Sequence, residues 1–208
     1  MAFPVTRILD TFNRADEEPI TGWTDSSGDG LRVSSNLCLA GTGVGTGGSA
    51  SWGVSFAVNQ EGYFTWSTIT APGTDAIYVY LRLQTDSDYL SDHYETEFVT
   101  ASGANNDVVA FWKRVGGVWT QLGADTALGT DYVIGDQLGG RIIGSEITAW
   151  RNGVQVGSRT DTDITLAGFI GLYVGDPLTT ADDFGGGAFT GIPLEYPVHP
   201  RRRTHLRM

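Results

Sequence analysis

The chain has 208 residues, 40 % hydrophobic and 11 % aromatic, with 29 glycines and only 18 % charged residues. That is enough apolar material for one large β domain or two small ones, and no apolar run approaches the roughly 20 residues of a membrane-crossing helix. The formal charge is −11; setting aside Arg201, Arg202, Arg203 and Arg207, four positive charges near the end, leaves −15 on residues 1–200. A body so acidic repels nucleic acid and anionic membranes, so neither is an expected partner. Cys38 is the single cysteine, which excludes an intrachain disulfide framework. The opening MAFPVTRILDTFNR has no basic leader followed by an apolar run, so no signal peptide is expected.

Residues 3–13 are expected to form an opening strand, and 14–30 a turn-rich stretch around Trp23. Leu31 and Val33 pair with Leu37 and Leu39 across Ser34-Ser35-Asn36. The segment GTGVGTGGSAS, 41–51, reads as a flexible loop; no lysine follows and no helix begins after it, so it is not a phosphate cradle. Long strands are predicted at about 52–59, 62–70, 75–84, 89–100 and 107–115. In the third of these, Ile77, Val79, Leu81 and Leu83 face one way while Tyr78, Tyr80, Arg82 and Gln84 face the other. Gly116-Gly117 turns the chain into Val118-Trp119-Thr120, and 123–131 is a loop.

Residues 139–176 are the most strongly patterned stretch. Ile147, Ala149 and Arg151 alternate with Glu146, Thr148 and Trp150, the two-residue period of a two-faced strand. Asn152-Gly153 supplies the two positive-φ positions of a type I′ hairpin, Val154 and Val156 lie on the return strand, and Phe169 to Val174 is a buried strand. Asp182-Asp183-Phe184 opens a final strand. From Gly191 the prolines at 193, 197 and 200 break any ladder, and HPRRRTHLRM ends the chain as an extended basic arm. No helical periodicity and no repeat is found. The expectation is an all-β domain over 1–190 with an arm over 191–208.

These features resemble the concanavalin A-like (laminin-G-like) lectin/glucanase jelly roll. The matching residues are D-x-F-N-R from Asp10 to Arg14, a tryptophan and short hairpin, G-S-E-I-T-A-W-R-N-G over 144–153, G-F-I-G-L-Y over 168–173, and D-D-F over 182–184. The resemblance implies an antiparallel two-sheet sandwich whose first and last strands pair, bringing Asp10 and Phe12 near Asp183 and Phe184. Domains of this kind also occur in tailed-phage virion accessory proteins. The resemblance therefore implies a non-enzymatic structural virion protein, a head decoration or tail accessory, with other virion proteins and further copies of the chain as partners. A carbohydrate-binding module recognising a cell-surface glycan is the alternative, and a glycoside hydrolase or lyase a distant third.

If the strands at 75–84 and 89–100 are neighbours, Tyr78, Tyr80, Arg82, His93, Glu95 and Glu97 share one concave face. Aromatic rings offer flat apolar faces to sugar rings, and charged groups hydrogen-bond hydroxyls, so this is the candidate ligand-binding face. The jelly-roll glucanases place carboxylates as E-x-D-x-x-E; here Glu95-Thr96-Glu97 is followed by Val99 and Thr100, so the third carboxylate is missing and no catalytic residues are assigned. Trp66, Trp112 and Trp150 are expected in the core or at its margin. Calcium accompanies many members of the resembled family; its candidate ligands here are Asp10, Asp182 and Asp183, or Asp86 and Asp88, although aspartates at turns more often serve backbone N–H groups. No other cofactor is expected. The histidines at 93, 199 and 205 are too scattered for zinc. The arginines of the arm suit docking on an acidic neighbouring subunit.

Overall fold

A computed structural model describes residues 2–25, 30–42, 47–70, 73, 75–86 and 90–189. The arm, with Arg201, Arg202, Arg203 and Arg207, and the candidate Asp88 lie outside the described residues. In chain order the strands are β1 (Ile8–Asp10), β2 (Trp23–Thr24), β3 (Leu31–Ser34), β4 (Leu37–Ala40), β5 (Gly48–Trp52) and β6 (Gln60–Thr68). They continue with β7 (Ala76–Leu83), β8 (His93–Val99), β9 (Val108–Val115), β10 (Val118–Gln121) and β11 (Thr126–Ala127). The last are β12 (Gln137–Ile143), β13 (Glu146–Arg151), β14 (Val154–Thr160), β15 (Phe169–Val174) and β16 (Thr180–Ala188).

The strands form two sheets. The first runs β14-β13-β12-β6-β16-β4-β3 with β1 also on β16; the second runs β10-β9-β8-β7-β15-β5-β2 with β11 also on β9. All pairings are antiparallel. The architecture is the concanavalin A-like jelly-roll sandwich, with no helix among the described residues. First and last strands do pair, with Ile8 opposite Gly185 and Asp10 opposite Phe184. The hairpins at Gly116-Gly117 and Asn152-Gly153 have positive φ at both turn residues, as type I′ turns require.

The core lies between the sheets. Phe64, Trp66, Leu138, Ile142, Ile147 and Phe184 from the first meet Ile77, Val79, Leu81, Phe98, Phe111, Ile170 and Leu172 from the second. Trp66 belongs to this core, whereas Trp150 is half-buried on the outer face of the first sheet, stacked on Phe3 at 5.2 Å.

Several expected elements differ; the loop expected over 123–131, for one, contains the two-residue β11 paired with β9. The loop expected over 41–51 contains β5, whose small residues lie buried between β15 and β2. Glycine and serine lower strand propensity, but here they let the neighbouring strand's Tyr173 lie close over Gly47. The strand expected over 52–59 is a turn with one bridge, Phe56 to Gly168.

The opening strand is shorter than 3–13 because residues 2–6 strap the outer face of the first sheet. Glu61 on β6 accepts from the backbone N–H groups of Val5 and Thr6 at 2.6 and 2.8 Å and from Arg141 on β12 at 2.5 Å. Arg141 in turn donates to the Ala2 carbonyl at 2.8 Å and lies against the rings of Phe3, Trp150 and Phe189. Both ion-pair members are buried. Removing one partner of such a pair strands the other charge, at a cost of roughly 3–5 kcal/mol. Glu61→Ala is therefore expected to lower the thermal unfolding midpoint by roughly 10 °C. The double change Glu61→Leu with Arg141→Met should recover most of that loss, as circular dichroism melts will reveal.

Candidate functional site: an aromatic groove on the second sheet

The groove follows from strand alternation and register. With Ile77, Val79 and Leu81 turned to the core, Tyr78 and Tyr80 must point outward. The pairing of β7 with β8 sets Tyr78 opposite Glu97 and Tyr80 opposite Glu95. On the next strand Trp112 lies opposite Glu95, Ala110 opposite Glu97 and Arg114 opposite His93. On the other side β15 sets Tyr173 beside Tyr78, and the β9–β10 hairpin brings Trp119 across from Arg114. These side chains enclose an open cavity of about 400 Å³ lined by Tyr78, Tyr80, Glu95, Glu97, Trp112, Trp119 and Tyr173.

The rings are held by one another. Tyr78 and Tyr173 stack at 4.6 Å, and His93 lies edge-on between Tyr80 at 4.7 Å and Trp119 at 5.3 Å. A glycine keeps the packing possible: a Cβ on Gly171 would lie 2.7 Å from the Ala50 carbonyl oxygen and 3.0 Å from Tyr80.

His93 is fully buried and positions Glu95. Its Nδ1 lies 2.7 Å from the Ser91 carbonyl oxygen and its Nε2 3.0 Å from Glu95 Oε1. A nitrogen facing a carbonyl oxygen must donate, so Nδ1 carries a proton and Nε2 is turned to the Glu95 carboxyl. Glu95 and Glu97 line the groove from the same face of β8 and interact directly. Burial, first, and the neighbouring Glu95 charge, second, push the Glu97 carboxyl up to about 8. The Trp112 indole N–H draws it down somewhat, although its geometry falls short of a full hydrogen bond.

Four of the six residues expected on this face, Tyr78, Tyr80, Glu95 and Glu97, line the groove, and His93 lies behind Glu95. Arg82 does not join them. Its backbone has φ 51°, and the β15–β7 register shifts between Phe169 and Gly171, so the alternation breaks there. The guanidinium is buried instead among three loops, donating to the carbonyls of Val58 at 2.9 Å, Gly144 at 2.6 Å and Ile164 at 2.6 Å. Sequence reasoning missed Trp112, Trp119 and Tyr173 as groove residues. Alternation along β9 and β15 turns Trp112 and Tyr173 outward, but only the strand order tells which outward residues meet.

The aspartates expected to hold calcium neighbour one another but are engaged by donors of the chain. Asp10 accepts from Phe12 N–H at 2.8 Å, from both Arg14 terminal nitrogens at 2.9 and 2.7 Å and from the Trp23 indole at 2.8 Å, so both its oxygens are already engaged. Asp182 accepts from the Asp183 N–H at 2.8 Å, and its carboxyl is raised by burial and by Asp183 and Asp10. Among the described residues no three His, Cys, Asp or Glu side chains are grouped to hold a metal. The D-x-F-N-R motif is thus a structural hub tying the first strand to Trp23, and it does not fit a calcium site.

No protein-family model matches the chain, and no curated protein matches it. Solved structures do. The carbohydrate-binding module CBM66 from Bacillus subtilis superposes with a TM-score of 0.52 at 16 % identity, over 88 % of this chain and 94 % of that one. The β-glucanase of Bacillus licheniformis gives 0.58 at 11 % identity, over 87 % and 97 %. The exoplasmic/lumenal domain of VIP36, in a form bound to Ca2+ and Man3GlcNAc, gives 0.57 at 12 % identity, over 79 % and 84 %. Identities this low establish a shared fold, that of the jelly-roll lectins and glucanases.

The raised Glu97 makes stability depend on pH in a defined direction. Its ordinary value is 4.5 and its folded value about 8, so between them the folded state holds a proton that the unfolded state has lost. Stability therefore falls as pH rises through this window and levels off above it. Thermal midpoints measured from pH 5 to pH 9 are expected to decline to about pH 8, and Glu97→Gln should flatten that decline and raise the midpoint at the alkaline end.

Proposed function

We propose that this chain is a carbohydrate-binding jelly-roll domain that takes a glycan in the groove on the outer face of its second sheet. The observation that carries the reading is the groove itself, where five aromatic side chains and two carboxyls surround one cavity of about 400 Å³. Flat rings match the apolar faces of pyranose rings, and the few polar groups fix orientation, the usual composition of a small-molecule site. The fold supports the reading, since structures that share it include one named as a carbohydrate-binding module and one solved with Man3GlcNAc.

The domain binds and does not hydrolyse. Retaining glycosidases hold their two carboxyls about 5–5.5 Å apart and inverting ones about 6.5–9.5 Å, leaving room for the scissile bond or a water. Here Glu95 and Glu97 interact directly, and Val99 and Thr100 follow where the glucanase spacing E-x-D-x-x-E needs a third carboxylate, which supports binding over catalysis. Screening on a glycan array, then calorimetry on the hits, is expected to give saturable binding without product formation. Trp112→Ala should weaken it about tenfold or more, as loss of an aromatic anchor does. Intact binding in that variant removes the groove from the reading, and sugar release that is lost in Glu95→Gln replaces binding with catalysis.

Display on a tailed-phage virion is the second part of the proposal, carried by the sequence resemblance. Quantitative mass spectrometry of purified particles is expected to find the chain at hundreds of copies for a head decoration or a handful for a tail component. Its absence from particles removes the virion placement and leaves the binding reading intact.

A further inference from the structure

The buried carboxylates outside the groove are each served by N–H or O–H donors. Asp10 has Arg14, and Glu61 has Arg141 with two backbone N–H groups. Asp136 has Arg151 at 2.6 Å with Asn152 and the Val133 N–H. Asp107 accepts from the N–H groups of Ala101 and Tyr132 at 2.8 and 2.6 Å, and Asp75 from the N–H and hydroxyl of Thr70. Glu95, equally buried, has only the His93 ring and the carboxyl of Glu97. Among the described residues the buried acids outside the groove each have two or more N–H or O–H donors. Glu95 has a single ring nitrogen and lies beside a second carboxyl, so the groove has room for a further cationic partner.

We propose that the groove selects a cationic sugar, a glycan carrying an unsubstituted amino group, with its ammonium on the groove side of Glu95 and Glu97 and its ring against Trp112 and the tyrosines. The inference rests on the glycan-binding reading and narrows it to a substrate class. An ammonium has three donors and no acceptor, which suits a pair of acceptor-only carboxylates. Ring faces attract cations as well, tryptophan most strongly, and the attraction grows when water is displaced. A hydroxyl sugar brings no charge to offset the two carboxylates.

The groups facing Glu97 leave that position open to a cation. Tyr78 faces it from β7, Tyr173 stands beyond Tyr78 on β15, Glu95 and then His93 lie along β8, and Trp112 comes from β9. Asp125, from the β10–β11 turn, adds negative potential. The Arg114 guanidinium lies opposite His93 and over the Trp119 ring at 5.8 Å, outside the groove lining. In the empty groove a proton on Glu97 takes the place of the cation, so an arriving ammonium displaces that proton near neutral pH.

Calorimetry of the full chain at pH 7 in 0.15 M salt tests this with β-linked dimers of glucosamine, N-acetylglucosamine and glucose, each in two buffers of different ionisation heat. The glucosamine dimer is expected to bind at least tenfold more tightly than the other two, with a heat that differs between buffers and reports proton release. Glu97→Gln should abolish the buffer dependence and bring glucosamine to the level of the neutral dimers. Because the chain's charge of −11 attracts any cation, Trp112→Ala must weaken glucosamine binding too; undiminished binding in that variant overturns the proposal as surface attraction. Equal or tighter binding of a neutral or acetylated dimer at the groove overturns the cationic preference and leaves the glycan reading standing. If no dimer, and no glycan on the array, binds at the groove, both fall.

Discussion

The commitment of one face of the second sheet to the core is the constraint on which the rest depends. Ile77, Val79, Leu81, Phe98, Val109, Phe111 and Leu172 are buried there at or near zero exposure. Each such side chain contributes about 1.5–3 kcal/mol by leaving water. Because side chains alternate with a period of two, slipping any of these strands by one residue would turn its apolar set to solvent and its polar set to the core. Register is therefore fixed by the inner face, and the outer face inherits its arrangement. The meeting of Tyr78, Glu97, Tyr80, Glu95 and Trp112 follows from a packing decision made on the opposite side of the sheet.

That logic explains what was legible in the sequence. Asn152-Gly153 and Gly116-Gly117 announce hairpins because only a few residues accept positive φ twice in succession, and the alternation in β7 and β8 gives four of the groove residues without knowledge of the fold. It fails at Arg82, where a single positive-φ residue ends the alternation; an arginine at the end of an apolar strand carries no local mark of such a break. It fails again at β5, where Gly48-Ser49-Ala50-Ser51 has the composition of a loop. Those residues are in a strand because they fit between β15 and β2, and that fit is a tertiary fact. Tyr173 was unreadable for the same reason: β15 lies about ninety positions beyond β7 in sequence yet beside it in the sheet.

The two outer faces put buried charge to opposite uses. On the first sheet Glu61 and Arg141 neutralise one another, and the remaining donors come from the N-terminal strap and the cover from Phe3, Trp150 and Phe189. Nothing there needs a further partner, and the result is a closed surface that secures the chain's beginning. On the second sheet the aromatic cover is similar in kind, but the carboxylates come as a pair and the Arg114 guanidinium is turned aside onto Trp119.

A paired acid site of this sort costs stability, and the folded protein limits the cost by keeping a proton on Glu97 well above the usual carboxylate range. Replacing Glu97 by an apolar residue would relieve the strain outright, and the strand would lose nothing it needs, since the core contacts of β8 come from Tyr94, Thr96 and Phe98. The groove keeps two neighbouring carboxyls among five rings with one histidine nitrogen as partner, whereas the buried acids described elsewhere have two or more donors each, and this contrast is what the cationic-ligand proposal rests on. The hydrogen bonds of His93 to Ser91 and Glu95 and its edge-on contacts with Tyr80 and Trp119 leave the ring no freedom to approach a ligand, so its role is to hold Glu95 in place at the floor of the groove.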